Sequence, residues 1–195
     1  KAGTILVEGK SIAGRKHYCG YMPQKDLLFP FCTIEDNVAL PLIVKGVKKK
    51  EARQQAGKYF AGFRLEGTQK KYPAQLSGGM RQRAALIRTL ALKPDILLLD
   101  EPFSALDYQT RLSVCDDISS IIRRTHKTAI LVTHDLSEAI SVADRILILS
   151  PRPGRVKKIL SIDFPKMCTR SLDRRNCPEF STYFNMVWKE LKTYE

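Results

Sequence analysis

Residues 95–102, Asp-Ile-Leu-Leu-Leu-Asp-Glu-Pro, are the segment that decides the fold class. Its aliphatic run is short and continuous, which is typical of a strand that is buried on both faces. The run ends in two adjacent carboxylates, Asp100 and Glu101. Ligands of open α/β sheets bind at the carboxyl ends of the strands, so these two acids stand where chemistry is expected.

Helices and strands alternate after this segment. The patterns predict a helix to about Arg124, a strand over 128–133, a helix over 135–143 and a strand over 145–149. Such alternation predicts an α/β fold with a mainly parallel sheet that helices cover on both faces.

A helical block precedes the segment, at about residues 33–90. Breaks are expected at Pro41 and Gly46, and a strong helix is predicted over 78–92 with Ser77 as its N-cap. Because the block interrupts the alternation of strands and helices, we interpret it as an inserted subdomain.

The length of 195 residues suits one domain. We therefore expect a single domain over residues 1–195, which contains the helical subdomain and ends in an extension at about 151–195. The composition, with 44% hydrophobic and 27% charged residues, is ordinary for a globular protein. The longest apolar runs are too short to cross a bilayer.

The net charge of +13 leaves three interpretations open: solvated surface, a face near anionic lipid headgroups, or nucleic-acid binding. No nucleic-acid-binding signature supports the third.

Five cysteines without a C-x-x-C pair favour a reduced, cytosolic compartment and give no support for a zinc site. The three histidines, His17, His126 and His134, show no metal-ligand spacing with them either.

Residues 76–83, Leu-Ser-Gly-Gly-Met-Arg-Gln-Arg, indicate an anion site. Gly78 and Gly79 follow Ser77 at the predicted helix start, where free N–H groups and the helix dipole attract anions. Two glycines in a first turn cost about 1–2 kcal/mol relative to alanine, which a purely structural cap would not need.

Chemistry on a phosphate is indicated by two acids, Asp100 and Glu101, and by His134. An apolar strand that ends in Asp100 is the pattern in which a carboxylate supports Mg²⁺. Glu101 can accept a proton from water that attacks a phosphate. His134 follows another predicted strand, where an imidazole can contact a terminal phosphate. The alternative is that the acids only cap the next helix.

In order and spacing, these motifs resemble those of the ATP-binding subunits of ABC transporters, over about residues 1–165. The stretches DEPFSALD and LSPRPGRV are most similar to the nitrate, sulfonate and taurine importer group. The matches are the Q-loop at Gln24 in GYMPQKD, the signature LSGGMRQR, the Walker B strand ILLLDEP, the D-loop Ser104-Ala105-Leu106-Asp107 and the switch histidine His134.

The resemblance implies a P-loop NTPase-like (RecA-like) fold and a site where ATP and Mg²⁺ lie between two such domains. Glu101 would be the general base and His134 would sense the γ-phosphate. Asp100 and Gln24 would assist Mg²⁺.

The resemblance also implies that residues of one subunit act on the nucleotide of the other. Ser77, Gly78, Gly79 and Gln82 would hold the partner's nucleotide. Asp107 would help the two sites communicate.

The implied function is the energy-coupling subunit of an importer for a small anion such as nitrate, sulfonate or taurine. The subunit would lie at the cytoplasmic face of the membrane as a peripheral protein, most simply as a homodimer. Transmembrane permease subunits would dock near residues 24–31, a solute-binding protein would act indirectly, and no nucleic acid is expected. The alternatives are a non-catalytic partner that donates its signature, and a soluble ABC ATPase that acts on nucleic acid.

A P-loop is the motif that the family pattern requires and that we do not find. Residues 9–11 read Gly-Lys-Ser, but the required earlier glycine would fall on Thr4, and Gly3 is one residue too far. Residues 4–8 predict a strand followed by a turn at Gly9-Lys10. We therefore expect an N-terminally truncated chain, inactive alone because its P-loop is missing.

Overall fold

The computed structural model describes residues 3–14 and 18–192, so His17 and the ends of the predicted domain 1–195 lie outside the described residues. Two short 3-10 helices, Ala61–Phe63 and Pro73–Gln75, lie between the second and third α-helices. The strands are β1 Leu6–Val7, β2 Lys10–Ser11, β3 Cys19–Met22, β4 Ile96–Asp100, β5 Thr128–Val132, β6 Arg145–Leu149 and β7 Val156–Ser161. The α-helices are α1 Ile34–Val44, α2 Lys49–Phe60, α3 Gly78–Leu90, α4 Tyr108–Arg124, α5 Leu136–Val142, α6 Ser171–Asn176 and α7 Pro178–Lys192.

The predicted α/β class is confirmed, and β3 pairs with β4 in parallel. Gly20 lies opposite Leu97 in that parallel register, inside a three-stranded sheet of order β3-β4-β5. A Cβ at Gly20 would come within 2.7 Å of the Thr89 side chain and 2.8 Å of the Pro94 ring. The absence of a side chain therefore lets the strand approach these residues closely.

The expectation of one sheet covered on both faces is wrong. β6 pairs antiparallel with β7 in a separate sheet. Along β6 the buried residues alternate with exposed ones, the pattern of a strand with one buried face. In β5, Ile130 and Val132 are more than half exposed, at 52% and 55%.

The chain divides into two compact units. The first consists of Lys1–Leu99 with Lys127–Ile130, and the second of Asp100–His126 with Leu131–Glu195. The first unit holds α1, α2 and α3. The second unit has its own hydrophobic cluster, formed by Ile140, Ile146, Ile148, Leu160, Ile162 and Val187. The sequence analysis predicted an extension at about 151–195 but not the two helices in it, α6 and α7. The domain boundaries stay a prediction.

Pro41 does not break the first helix, contrary to expectation. α1 continues through it to Val44. Pro41 lacks an N–H to donate within the helix, but its carbonyl still accepts the Lys45 N–H at 3.2 Å. The helix ends at Val44, with Lys45 as its C-cap, and the predicted break at Gly46 follows directly. That glycine adopts φ 90°, a left-handed conformation that glycine tolerates best.

The Gly-Lys-Ser stretch lies in a hairpin, so a strand followed by a turn is confirmed. The turn is one residue earlier than the predicted Gly9-Lys10, and the first strand covers only Leu6–Val7. β1 pairs antiparallel with β2, with Val7 opposite Lys10. Glu8 and Gly9 form the turn with φ values of 50° and 72°, the combination of a type I′ turn. The exposed Lys10 is a strand residue of this hairpin.

A disulfide joins Cys168 to Cys177, contrary to the expectation of five reduced cysteines. The two residues flank α6 and are nine positions apart, a spacing that a search for C-x-x-C does not detect. Cys115 is buried, and burial raises the pKa of its thiol to about 12, so this thiol is unreactive.

Reduction of the Cys168–Cys177 bridge is expected to lower the free energy of unfolding by about 2–3 kcal/mol, because the opened loop regains entropy in the unfolded chain. Urea unfolding with and without dithiothreitol measures the difference. The double variant Cys168→Ser, Cys177→Ser should match the reduced chain, and Cys32→Ser serves as the control. Identical unfolding curves in both buffers would show that the bridge does not stabilise the fold.

Among the described residues, we find no helix that combines the length and the apolar character needed to span a bilayer.

Candidate functional site

The turn after β4 presents Glu101. Its N–H donates to the Val132 carbonyl at 2.8 Å, and its own carbonyl accepts the Ser104 N–H at 3.2 Å and the Ser104 hydroxyl at 3.0 Å. Glu101 has φ 44°, an uncommon conformation for a residue with a side chain. Such strained positions cost on the order of 1–3 kcal/mol and cluster at functional sites, because the surroundings hold them in place.

The structure brings Glu101 and His134 together. Glu101 Oε1 lies 2.8 Å from His134 Nδ1. The side chain of His134 is 77% exposed and that of Glu101 is 25% exposed. The hydrogen bond to Glu101, and then its negative charge, raise the pKa of the imidazole. A proton can thus lie between the Glu101 carboxylate and the His134 imidazole.

The next helix does not need these acids as caps. Asp107 caps α4, because its side chain accepts the Thr110 N–H at 3.0 Å. Hydrogen bonding to the Thr110 side chain, and then to the Thr110 backbone, lowers the pKa of the Asp107 carboxyl. The helix-capping alternative for Glu101 is therefore wrong, since its carboxylate contacts His134 instead. Asp100 ends β4 and is half-buried. The proposed role of Asp107 in communication stays a prediction.

The predicted signature residues lie in the first unit, at the start of α3. Ser77 is exposed and its hydroxyl accepts the Met80 N–H at 3.4 Å, which confirms the predicted N-cap. Gly78 is half-buried and Gly79 is buried. Gln82 is only 3% exposed, so in this arrangement its side chain is not accessible to a ligand. Its Oε1 has no hydrogen-bond partner among the described atoms.

Gln24 is exposed in the segment that follows β3. Two arginines of α3 hold this segment. The Arg81 guanidinium contacts Asp26 at 3.1 Å and the Leu76 carbonyl at 3.1 Å. Arg88 donates to the carbonyls of Leu27 and Asp26, at 2.6 Å each. No sequence motif predicts these contacts.

Sequence reasoning also missed two residues around His134, Arg111 and Glu138. A depression of the second unit is lined by Glu101, Ser104, Thr133, His134 and Asp135, and additionally by Arg111 and Glu138. The available signal was weak. Arg111 and Glu138 follow helix-capping aspartates at short helical spacings, which is ordinary surface patterning.

Glu101→Gln is expected to lower the pKa of His134 toward the ordinary histidine value, because the amide removes the negative partner. The folded pKa is raised, so the pair's contribution to stability is complete below the ordinary value. It is lost as pH rises through the raised value. NMR titration of the imidazole measures the change. Equal titration midpoints in both proteins would contradict the contact.

Comparisons with known proteins show the family of this chain. A family model described as "ABC transporter" matches residues 1–104. The chain is 45% identical to the uncharacterized ABC transporter ATP-binding protein YtlC of Bacillus subtilis, over 99% of this chain and 74% of that protein. It is 42% identical to the aliphatic sulfonates import ATP-binding protein SsuB of Bacillus licheniformis, over 99% of this chain and 72% of that protein.

A solved structure confirms the predicted P-loop NTPase-like fold. The ATP-binding cassette MJ0796, in a dimeric post-hydrolysis state bound to ADP and Pi, has a TM-score of 0.68 and 29% identity. The likeness covers 84% of this chain and 75% of that one. From the family model, the two Bacillus relatives and this structural likeness, we conclude that the chain belongs to the ABC transporter family as an ATP-binding, ABC-type ATPase.

Proposed function

We propose that this chain is the energy-coupling subunit of an ABC importer and that Glu101 is the general base of its ATPase site. The observation that carries the proposal is the 2.8 Å contact between Glu101 and His134 at the end of β4. A base for ATP hydrolysis has to be held in place and to exchange protons near the phosphate it serves.

In the proposed hydrolysis, each residue of the site has its own role. A Glu101 carboxylate oxygen accepts a proton from the attacking water, and His134 holds the carboxylate through Nδ1 and contacts the terminal phosphate. Asp100 and Gln24 carry oxygen ligands of the kind that Mg²⁺ prefers, so their chemistry fits this ion. Bound Mg²⁺ would offset the negative charge of the phosphates.

A second copy of the chain is the proposed partner at the nucleotide. The start of α3, with Ser77, Gly78 and Gly79, offers backbone N–H groups at a helix terminus, which suits a phosphate of the other subunit's site. The MJ0796 cassette is described as a dimer bound to ADP and Pi, which supports this arrangement.

The segment 24–31 is the proposed docking site for the permease. Leu27, Phe29 and Phe31 expose 58%, 42% and 76% of their surface, and the two phenylalanine rings lie 5.6 Å apart. Exposed apolar side chains on a segment that Arg81 and Arg88 tie to α3 are suited to protein contact. The contacts join this segment to α3, the helix that Ser77 caps, so docking and nucleotide state can influence each other. The subunit would then lie at the cytoplasmic face of the membrane, with a solute-binding protein acting indirectly.

The proposed solute is a small anion such as a sulfonate, nitrate or taurine. The SsuB relative, named for aliphatic sulfonate import, supports this class. Uptake of each anion by cells that lack the gene tests it, with the restored gene as the control. We expect reduced uptake of one such anion. Normal uptake of all of them, with defective uptake of sugars or metals, would contradict the assignment.

The 195 residues contain no Gly-x₄-Gly-Lys-[Ser/Thr] sequence. We therefore propose that hydrolysis requires a P-loop ahead of β1, and we call a chimera with such a segment from a related ABC ATP-binding protein the P-loop-bearing form. Phosphoryl transfer depends on positioning and charge stabilisation, which the phosphate cradle of a P-loop would supply.

The 195-residue chain alone is expected to bind no ATP at micromolar concentration and to release no phosphate. Lys10→Ala should leave ATP binding and phosphate release by the P-loop-bearing form unchanged, because Lys10 is an exposed strand residue of the β1–β2 hairpin. Calorimetry and a phosphate-release assay measure both. Micromolar affinity in the 195-residue chain that Lys10→Ala abolishes would overturn this assignment.

A further inference from the structure

The residues on both sides of His134 are fixed by their side chains. The Thr133 hydroxyl donates to Glu138 Oε2 at 2.8 Å and accepts the Asp135 N–H at 3.0 Å. The Asp135 carboxylate accepts the N–H groups of Ser137 and Glu138, at 2.8 and 3.1 Å, and so caps α5. The chain is thus held immediately before and immediately after the imidazole.

Glu138 is the buried member of this group. Its side chain is 3% exposed, and burial raises the pKa of its carboxyl. A buried carboxyl is stable only when other groups satisfy it. The Thr133 hydroxyl does so, and Arg111 Nε lies 3.8 Å from Glu138 Oε1. The hydrolytic roles proposed above do not use Glu138.

Arg111, on α4, connects two loops of the second unit. Its Nη2 donates to the Leu106 carbonyl at 3.0 Å, in the loop that follows Glu101. Its Nη1 donates to Asp135 Oδ2 at 3.4 Å, beside His134. A planar guanidinium with several fixed donors can hold two such loops at a set separation.

We propose that Glu138, Thr133 and Arg111 form a positioning cluster that sets where the His134 imidazole stands relative to the Glu101 carboxylate. The proposal rests on the proposed function only for the use of this pair in hydrolysis.

The exposure of His134 is the reason such a cluster is needed. The imidazole is 77% exposed, so packing does little to hold it. A hydrogen bond of 2.8 Å across two loops then depends on the backbone that carries each partner. Glu101 is held by Val132 and Ser104, and the cluster holds the other partner.

The test removes one hydroxyl. Thr133→Val keeps the shape of the side chain and loses its hydrogen bonds, whereas Thr133→Ser retains the hydroxyl. The matched control is Thr125→Val, because the Thr125 hydroxyl donates to the Ile122 carbonyl at the exposed end of α4. NMR of ¹³C-histidine in the 195-residue chain follows the imidazole titration, and His134→Gln identifies the signal.

The groups that face His134 stay intact in these variants. They are the carboxyls of Glu101, Glu138 and Asp135, with Arg111 lining the same depression. A change in the His134 titration therefore reports a change in its position and not the loss of a neighbouring charge.

We expect Thr133→Val to shift the His134 titration most of the way that Glu101→Gln shifts it. Thr133→Ser should restore the titration and Thr125→Val should leave it unchanged. A Thr133→Val chain with native circular dichroism and an unshifted titration would overturn the proposal. If that variant does not fold, Arg111→Lys replaces it, because a single ammonium cannot bind both loops. Arg111→Lys should shift the His134 titration in the same direction. An unshifted titration in this variant would also overturn the proposal.

Failure of the proposed function has a different signature. The titrations would behave as described, yet Glu101→Gln would leave hydrolysis by the P-loop-bearing form intact. In that form, we expect Thr133→Val to lower kcat with little change in KM, and Thr133→Ser to recover it.

Discussion

Glu101→Gln is expected to lower ATP hydrolysis by the P-loop-bearing form by about 10²–10⁴-fold, the usual cost of removing a general base. ATP binding should persist, because the amide keeps the shape of the side chain and removes only its basicity. The variant should therefore separate binding from turnover. Phosphate release and equilibrium nucleotide binding, measured on the same preparation, test both parts.

The matched control is Glu66→Gln, an equal substitution at an exposed turn of the first unit. It should retain hydrolysis, since surface substitutions away from a site have small effects. Near-normal hydrolysis by Glu101→Gln would show that Glu101 serves only the local geometry of the turn after β4.

Asn37→Leu is expected to lower the free energy of unfolding by about 2–4 kcal/mol, because it leaves buried backbone groups without partners. Asn37 is completely buried. Its Oδ1 accepts the Phe29 N–H at 2.7 Å. Its Nδ2 donates to the carbonyls of Phe29, Cys32 and Thr33, at 3.0–3.1 Å. One side chain thus holds the end of the proposed docking segment against α1.

Urea unfolding measures this effect, and Asn185→Leu on the exposed surface of α7 is the control, with little expected change. A second consequence follows in cells. An Asn37→Leu subunit that still hydrolyses ATP should couple poorly to its permease, because Phe29 and Phe31 lose their fixed position. Unchanged stability would contradict the hydrogen-bond network.

The sequence was most informative where a residue's role depends on its neighbours in the chain. The apolar run before Asp100 and the Ser-Gly-Gly start of α3 predicted their elements because local patterns set strands and caps. The hairpin at Gly9 was also accessible, since its turn conformation depends on two adjacent residues.

Contacts between distant residues could not be read in this way. The ties from Arg111 to Leu106 and Asp135 join helix α4 to two loops, and nothing in their spacing marks them. The bridge from Cys168 to Cys177 likewise depends on the short helix between them. Gln82 belongs to a recognisable motif, yet burial removes it from any surface.

The most direct test of the proposed two-subunit site is a mixing experiment with the P-loop-bearing form. Glu101→Gln removes the base, and Ser77→Arg blocks the start of α3; each variant alone should be inactive. In a mixed dimer, one site combines an intact Glu101 from one subunit with an intact Ser77 from the other. We predict that mixing the two inactive proteins restores phosphate release above the sum of the separate activities. A mixture that remains inactive, although both proteins exchange subunits, would contradict a site built from two copies of this chain.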